Sequence, residues 1–208
     1  MDQVKNTHFV DELIKRYLHP ELRQYGFTRK ARTWNREYNS FNQVINVQTG
    51  KTSTHNSGDF TINMGVFVPS VYRAVWGDVP SFVRETDCTV RTRLGCLLDK
   101  KVDKWWSFDQ TTDIVLIGKE ITDLLVNYGL PFLEQFDSLE SIHNFLIIRC
   151  KSKQSTPLEH IYLAVVKAQL GDTSGAKELF TNVASSFPAW REWALKTATE
   201  LEIDLEHL

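Results

Sequence analysis

Apolar and polar residues alternate along the stretch from residue 33 to residue 94, and this alternation predicts four β-strands. The predicted strands cover residues 33–38, 41–49, 60–68 and 87–94. Successive side chains of a strand point to opposite faces of a sheet. The third strand shows the pattern best, with an apolar face of Phe60, Ile62, Met64, Val66 and Val68. The sequence therefore predicts a sheet with one apolar face and one polar face.

The connections between these strands bear on their directions. Short connections favour antiparallel neighbours, because a parallel pair needs a crossover of about a dozen residues or more. The connection from Pro69 to Thr86 is long enough for such a crossover. A mostly antiparallel four-stranded sheet is predicted, and the direction of its last strand stays open.

Helical patterns flank the predicted strands. A stripe that begins at Phe9 predicts a first helix, and a longer stripe predicts a helix over residues 112–128 that ends at Gly129 and Pro131. The residues Asp137-Ser138-Leu139-Glu140 resemble a capping box and predict a helix that runs through Ile148. These helices are expected to cover the apolar face of the sheet and to give an α+β fold with helices packed on one face.

The polar segment 151–156 separates the chain into two predicted parts, an α+β domain over residues 1–150 and a helical cap over residues 156–208. The segment 168–180 resembles one and a half tetratricopeptide repeats, on the basis of Ala168, Leu170, Gly171, Asp172, Ala176 and Phe180. Such repeats need about three copies to bury a continuous core. We expect a hairpin-like cap that completes the core of the first domain; a peptide-binding groove is the alternative.

Composition narrows the class of protein. The chain has 208 residues and a formal net charge of −2, which argues against nucleic acid and anionic membranes as partners. The polar segment 1–8 lacks the apolar region of a signal peptide, and no apolar run approaches the ~20 residues of a membrane span. The three cysteines are widely spaced and form no CxxC pair, which is more typical of reduced thiols than of a disulfide scaffold. We expect a cytoplasmic protein.

An ordered series of short segments resembles bacterial family 4304 of the domains of unknown function. The series comprises Gly26-Phe27, Trp34-Asn35-Arg36, residues 44–48, residues 60–66, Asp87-Cys88, residues 91–95 and residues 103–106. The resemblance extends over roughly the first 145 residues. It implies a small α+β domain, and it supplies no catalytic residues.

The sequence gives no signal for a metal or cofactor. The histidines are not spaced as in HxxxH or HExxH, and neither a GxSxG motif nor a complete phosphate-binding loop occurs. We therefore predict a metal-independent protein without a cofactor. Cys88 falls on the apolar side of the last predicted strand, which predicts a buried and inert thiol.

The remaining candidate site is the polar face of the sheet. Gln48, Asn63, Arg91 and Arg93 share this face by strand parity, and Gly65 leaves a dip between them. The planar fork of arginine suits carboxylate and phosphate groups. The alternative is an ordinary solvated face, which antiparallel sheets often have.

Two adjacent tryptophans, Trp105 and Trp106, form a second candidate. Neighbouring residues of a strand face opposite ways, so one ring is expected in the core and the other on the surface. Aromatic rings with one solvent-exposed face are common at protein interfaces. The alternative is that both rings cover the edge of the core.

Two functional classes remain at this level. We favour a non-catalytic binding or regulatory protein that recognises a protein partner or a small anionic ligand. A toxin-neutralising role is one example of this class. The alternative is an enzyme that acts on phosphoester or nucleotide bonds, with the arginines as electrostatic stabilisers. It would need a base or a metal cluster that the sequence does not display.

Overall fold

The computed structural model describes residues 9–54, 57–98 and 102–205. The predicted α+β class is confirmed, because helices pack on one face of an antiparallel sheet and further helices follow it. The strands are β1 (Thr28–Lys30), β2 (Thr33–Tyr38), β3 (Phe41–Thr49), β4 (Gly58–Phe67), β5 (Val90–Arg93) and β6 (Trp106–Phe108).

The helices occur in three groups along the chain. They are α1 (Phe9–Leu13), α2 (His19–Gln24), α3 (Pro69–Trp76), α4 (Ile114–Leu124), α5 (Leu130–Glu134), α6 (Leu139–Cys150), α7 (Pro157–Gln169), α8 (Thr173–Ser186) and α9 (Arg191–Glu200). Short 3₁₀ turns lie at Glu85–Asp87, Leu94–Leu97 and Pro188–Trp190.

Within the described ranges the sheet has six strands, so the prediction of four is wrong in its count. Strands β1 to β5 lie in chain order, and β6 pairs with the start of β4 beside β5. All five strand pairs of this sheet are antiparallel, which settles the direction of β5. The two additional strands, β1 and β6, have three residues each, too few for an alternating pattern to stand out.

The apolar face of the sheet forms the main core. Trp34, Ile45, Phe60 and Met64 are almost completely buried there, against the helices. One π-helical turn, at Ile14–Leu18, joins α1 to α2, and another, at Leu125–Gly129, joins α4 to α5.

The helix predicted to stop at Gly129 continues instead to Glu134. In the second π turn, the Leu130 N–H donates to the Leu125 carbonyl. Pro131 then lies in the first turn of α5, where its missing N–H is tolerated. Gly129 lies close to the sheet, since a Cβ atom there would be 3.2 Å from the Met64 side chain.

A smaller apolar cluster lies on the opposite face of the sheet. Val44, Phe67, Val83 and Cys88 form it, so residues 79–89 cover one end of the face predicted to be polar and open. The predicted last strand is too long, because β5 begins only at Val90. Cys88 is buried as expected, but it lies outside the strand and on the side away from the main core.

The C-terminal helices pack on the earlier part of the chain. Residues 161–166 of α7 are buried in the same apolar cluster as the core of the sheet. The Trp76 indole N–H donates to the Tyr162 hydroxyl over 3.1 Å, and the Trp76 and Trp193 ring centroids lie 4.7 Å apart. The polar segment 151–156 is a turn between α6 and α7, and the division into two domains there stays a prediction.

Some sequence predictions concern other residues. The segment 1–8, to which the signal-peptide argument refers, lies outside the described residues, as do His55 and His207. In the described ranges, none of the helices combines the length and the apolar character needed to cross a membrane.

Candidate functional site

One residue from each of five neighbouring strands contributes to a row across the polar face of the sheet. The pairing register places Lys30, Thr33, Asn46, Asn63 and Arg93 directly opposite one another in turn. Opposed residues of antiparallel strands share a face. We call these five residues the polar row. It has a cation at each end and hydroxyl or amide groups between them.

Hydrogen bonds link the polar row from β2 to β5. The Asn46 Nδ2 donates to Thr33 Oγ1 over 2.9 Å, and the Asn63 Nδ2 donates to Asn46 Oδ1 over 3.4 Å. The same Asn63 nitrogen donates to Gln48 Oε1 over 2.9 Å. Arg93 Nε in turn donates to Asn63 Oδ1 over 3.1 Å. The Asn63 amide thus both donates and accepts hydrogen bonds, and its oxygen orients the Arg93 guanidinium.

The guanidinium of Arg93 has two further neighbours. Its Nη1 donates to the Asp103 carboxylate, and its Cζ lies 5.3 Å from the centroid of the Trp105 ring. Trp105 Nε1 also donates to Asp103 Oδ2 over 3.3 Å. The Arg93 side chain is 35% exposed and that of Asp103 is 47% exposed. This end of the polar row therefore meets solvent.

Segment 103–105 forms one border of the polar row. The hydroxyl of the buried Thr61 donates to the Lys104 carbonyl over 3.0 Å, which holds the segment over the sheet next to Gln48.

Residues 79–89 form the opposite border. Asn35 pairs with the Val83 backbone through two hydrogen bonds of 2.9 Å. Cys88 fills the dip over Gly65, where a Cβ atom would lie 2.7 Å from the Cys88 Cβ. Burial raises the pKa of the Cys88 thiol well above its usual range, which keeps it protonated and unreactive.

Arg91 is committed to this border and not to the polar row. Its Nε donates to Glu85 Oε1 over 2.7 Å and its Nη2 to Glu85 Oε2 over 3.1 Å. Glu85 is only 8% exposed. The hydrogen bond to Glu85 raises the pKa of the Arg91 guanidinium above its usual value. This bidentate ion pair holds the 3₁₀ turn at Glu85–Asp87 against β5.

The two tryptophans lie on opposite faces of the sheet, at the point where β6 begins with Trp106. Trp106 is buried on the helix side, stacked on Phe60 with 5.9 Å between ring centroids, and its Nε1 donates to Glu120 over 3.2 Å. Trp105 lies on the other face, beside Arg93. Of the six candidate residues, the structure brings together Gln48, Asn63, Arg93 and Trp105. It places Arg91 next to them with a separate partner, and Trp106 in the core.

Three residues of this region were not among the candidate site residues of the sequence analysis. Lys30 was missed because β1 was not predicted, and its Nζ lies 5.7 Å from the centroid of the Phe82 ring. Thr33 was missed because its amide partner Asn46 is identified only by the register between strands. Asp103 was missed because a carboxylate ten positions after Arg93, beyond the end of the predicted strand, gives no periodic pattern.

The described part of the chain contains no group of three or more His, Cys, Asp or Glu side chains arranged to hold a metal ion. The chemistry that the polar row offers is hydrogen bonding and charge. A ligand that meets it would contact Arg93 and Lys30 as cations, and Gln48 as an amide.

Comparison with curated proteins found no match, and comparison with solved structures found none either. A family model does match residues 18–135, which is more than half of the chain. The match includes all six strands and helices α4 and α5, and it ends before the C-terminal helices. It agrees with the resemblance seen in the ordered strand segments. The chain belongs to the family described as Domain of unknown function (DUF4304).

Proposed function

We propose that this protein is a non-catalytic binding protein that recognises an anionic group at the polar row, with Arg93 as the anchor. The observation that carries the proposal is the hydrogen bond from Arg93 Nε to the buried Asn63, which orients a guanidinium that is still partly exposed. A cation held in advance in one orientation loses less conformational entropy when it binds.

The distribution of donors and acceptors supports an anionic ligand. The side-chain oxygens of Asn46, Asn63 and Gln48 each accept a hydrogen bond from a neighbour in or beside the row. The groups that remain for a ligand are donors, namely the Gln48 amide, the Arg93 guanidinium and the Lys30 ammonium. These donors favour carboxylate or phosphate oxygens as ligand groups.

The carboxylates beside the arginines favour binding over catalysis. A general base must reach the proton that it removes. Glu85 accepts hydrogen bonds from two guanidinium nitrogens of Arg91. Asp103 accepts hydrogen bonds from Arg93 and Trp105. An enzyme that acts on phosphoester bonds would have to release one of these pairs first, whereas a binding protein needs no such base.

A cytoplasmic location is part of the same proposal. All three cysteines, Cys88, Cys96 and Cys150, lie in described ranges and are free thiols. Free thiols are typical of reducing compartments.

The proposal can be tested by NMR on the ¹⁵N-labelled protein with sodium phosphate and sodium citrate as probes. We expect saturable shifts of the Arg93 Nε signal and of the Gln48 and Asn63 side-chain amides. Arg93→Gln should abolish the response of these amides. Arg29→Gln is the matched control, because it removes an exposed arginine of β1 on the opposite face of the sheet. Equal responses in Arg93→Gln and in the unaltered protein would contradict the proposal.

A further inference from the structure

Segment 103–105 of the chain lies on the polar face much as a bound peptide would. Two side chains hold it through three contacts: Arg93 binds the Asp103 carboxylate, the Arg93 guanidinium lies over the Trp105 ring, and the Thr61 hydroxyl donates to the Lys104 carbonyl. The sheet thus contacts a main-chain carbonyl and an acidic side chain of one short stretch. These are the two kinds of group that an acidic peptide presents.

We propose that the polar row binds an extended acidic peptide segment of a partner protein, and that Asp103 is an internal competitor for Arg93. This inference rests on the proposed function and names the ligand class for the same site. The ligand carboxylate takes the place of Asp103 on Arg93, while its main chain crosses the strands towards Lys30.

The dimensions of the polar row fit such a ligand. Lys30 and Arg93 are separated by four strand intervals, or about 19 Å at roughly 4.8 Å each. An extended chain advances about 3.3 Å per residue, so about six residues span this distance. A peptide with acidic residues about six positions apart therefore reaches both cations, and the Gln48 amide lies beside its path to donate to a peptide carbonyl.

Each end of the polar row also offers an aromatic ring. Phe82 lies next to Lys30, and Trp105 lies next to Arg93. Aromatic rings beside cations give apolar contact to the aliphatic parts of a peptide while the charged groups pair. A small inorganic anion uses only one end of this arrangement, whereas a peptide uses both.

The pair of Asp103 and Arg93 is suited to exchange. Both side chains are partly exposed, at 47% and 35% respectively. Exposed ion pairs are weak because water screens them. In the pair of Arg91 with Glu85 the carboxylate is buried, with its side chain only 10% exposed, and we assign this pair to holding residues 79–89 in place.

The test uses the full chain and a synthetic peptide of about eight residues, with aspartates near both ends and serine or glycine elsewhere. Binding is followed through the NMR signals of Arg93 Nε and of the Asn63 and Gln48 amides. We expect Asp103→Asn to tighten binding about two- to fivefold, the range that competition with an exposed ion pair produces. Asp123→Asn, which makes the same change of charge on the exposed side of α4, should leave the affinity unchanged. Lys30→Gln and Arg93→Gln should each weaken binding.

Controls separate this inference from the proposed function. A peptide with asparagine in place of aspartate should not bind; equal binding of the two peptides overturns the inference. If phosphate shifts the Arg93 signal but the acidic peptide does not, the inference fails while the anion site stands. If neither probe shifts it, both fail. An Asp103→Asn variant with unchanged or weaker affinity for the peptide overturns the role of Asp103 as a competitor.

Discussion

The Asn35 side chain pairs with the backbone of Val83 as a strand neighbour would. Asn35 Nδ2 donates to the Val83 carbonyl and the Val83 N–H donates to Asn35 Oδ1, both over 2.9 Å. Asn35 is 8% exposed and Val83 3% exposed. Two residues that are 48 positions apart are joined in this way. The contact holds residues 79–89 over the sheet and defines one border of the polar row.

Replacing Asn35 by alanine should lower the free energy of unfolding by about 2–6 kcal/mol. Both backbone groups of Val83 would lose their partner, and each buried unsatisfied group costs about 1–3 kcal/mol. Urea denaturation measures the change. Asn42→Ala, which shortens a half-buried asparagine on the same face, should cost less than about 1 kcal/mol. Equal losses in the two variants would show that the pairing of Asn35 with Val83 contributes little.

The sequence predicts the middle of this sheet well and its borders poorly. Alternation in residues 41–49 and 60–68 places Gln48 and Asn63 on the polar face, because each strand has enough residues for its parity to be read. Contacts between separate segments leave no periodic pattern, whether the residues are 48 positions apart or ten. The pairing of Asn35 with Val83 and the pairing of Arg93 with Asp103 are both of this kind, and together they change an open face into a bordered row.

Gln43 is a second feature that alternation does not explain, since it lies among apolar residues on the helix side and is fully buried. Its Oε1 accepts from Arg36 Nε over 2.8 Å and also from Arg36 Nη2. Its Nε2 donates to the Leu133 carbonyl near the end of α5 over 3.0 Å. One side chain thus ties β3 to β2 and to a helix end.

Gln43→Met should therefore destabilise the protein although it conserves volume and adds apolar character. Methionine cannot pair with the Arg36 guanidinium or with the Leu133 carbonyl, and hydrogen bonds to charged groups contribute about 1.5–3 kcal/mol. We expect a loss of about 2–4 kcal/mol in chemical denaturation. The matched variant Gln135→Met, at an exposed position, should change stability by less than about 0.5 kcal/mol. A Gln43→Met protein as stable as the unaltered one would assign the buried amide no structural role.

Gly65 is required where β4 passes beneath Cys88. A Cβ atom at this position would lie 2.7 Å from the Cys88 Cβ and 2.8 Å from the Val90 carbonyl oxygen. Gly65→Ala should cost about 1–3 kcal/mol, the range for overpacking a core. Gly50→Ala is the control, since its nearest neighbour would be the Ser53 hydroxyl at 3.3 Å. Thermal melts of both variants, compared with the unaltered protein, test whether the close packing on this face is obligatory.

Stability should fall as the pH is lowered below about 6.5, the usual value for histidine. Burial lowers the pKa of His160, and burial with nearby arginines lowers the pKa of His19. The unfolded chain then binds more protons than the folded one, so stability is fully present above about pH 6.5 and decreases as the pH falls towards the folded-state pKa values. The carboxylates with lowered pKa values, Asp109 and Asp172, act only below about pH 4.

The measurement is the melting temperature between pH 5 and pH 8, in the unaltered protein and in His160→Gln. His160 Nε2 lies 3.2 Å from Ser155 Oγ at the start of α7, and glutamine preserves a polar side chain there. The variant should show a shallower loss of stability on acidification. An unchanged slope would remove His160 from the explanation.

The C-terminal helices should be necessary for a stable protein. Residues 161–166 of α7 are buried in the same cluster as the sheet core, and Trp193 of α9 packs on Trp76 of α3. A chain that ends at Ser155 would expose this surface, and large apolar patches cause aggregation. We expect the truncated chain to aggregate, or to melt far below the full chain. Tyr162→Phe in the full chain is a milder probe, because it removes only the acceptor of the Trp76 indole N–H, and it should cost about 1 kcal/mol. If the truncated chain were soluble, monomeric and melted like the full chain, the last three helices would be an independent module, and the peptide-binding groove considered for them would become the better explanation of their apolar faces.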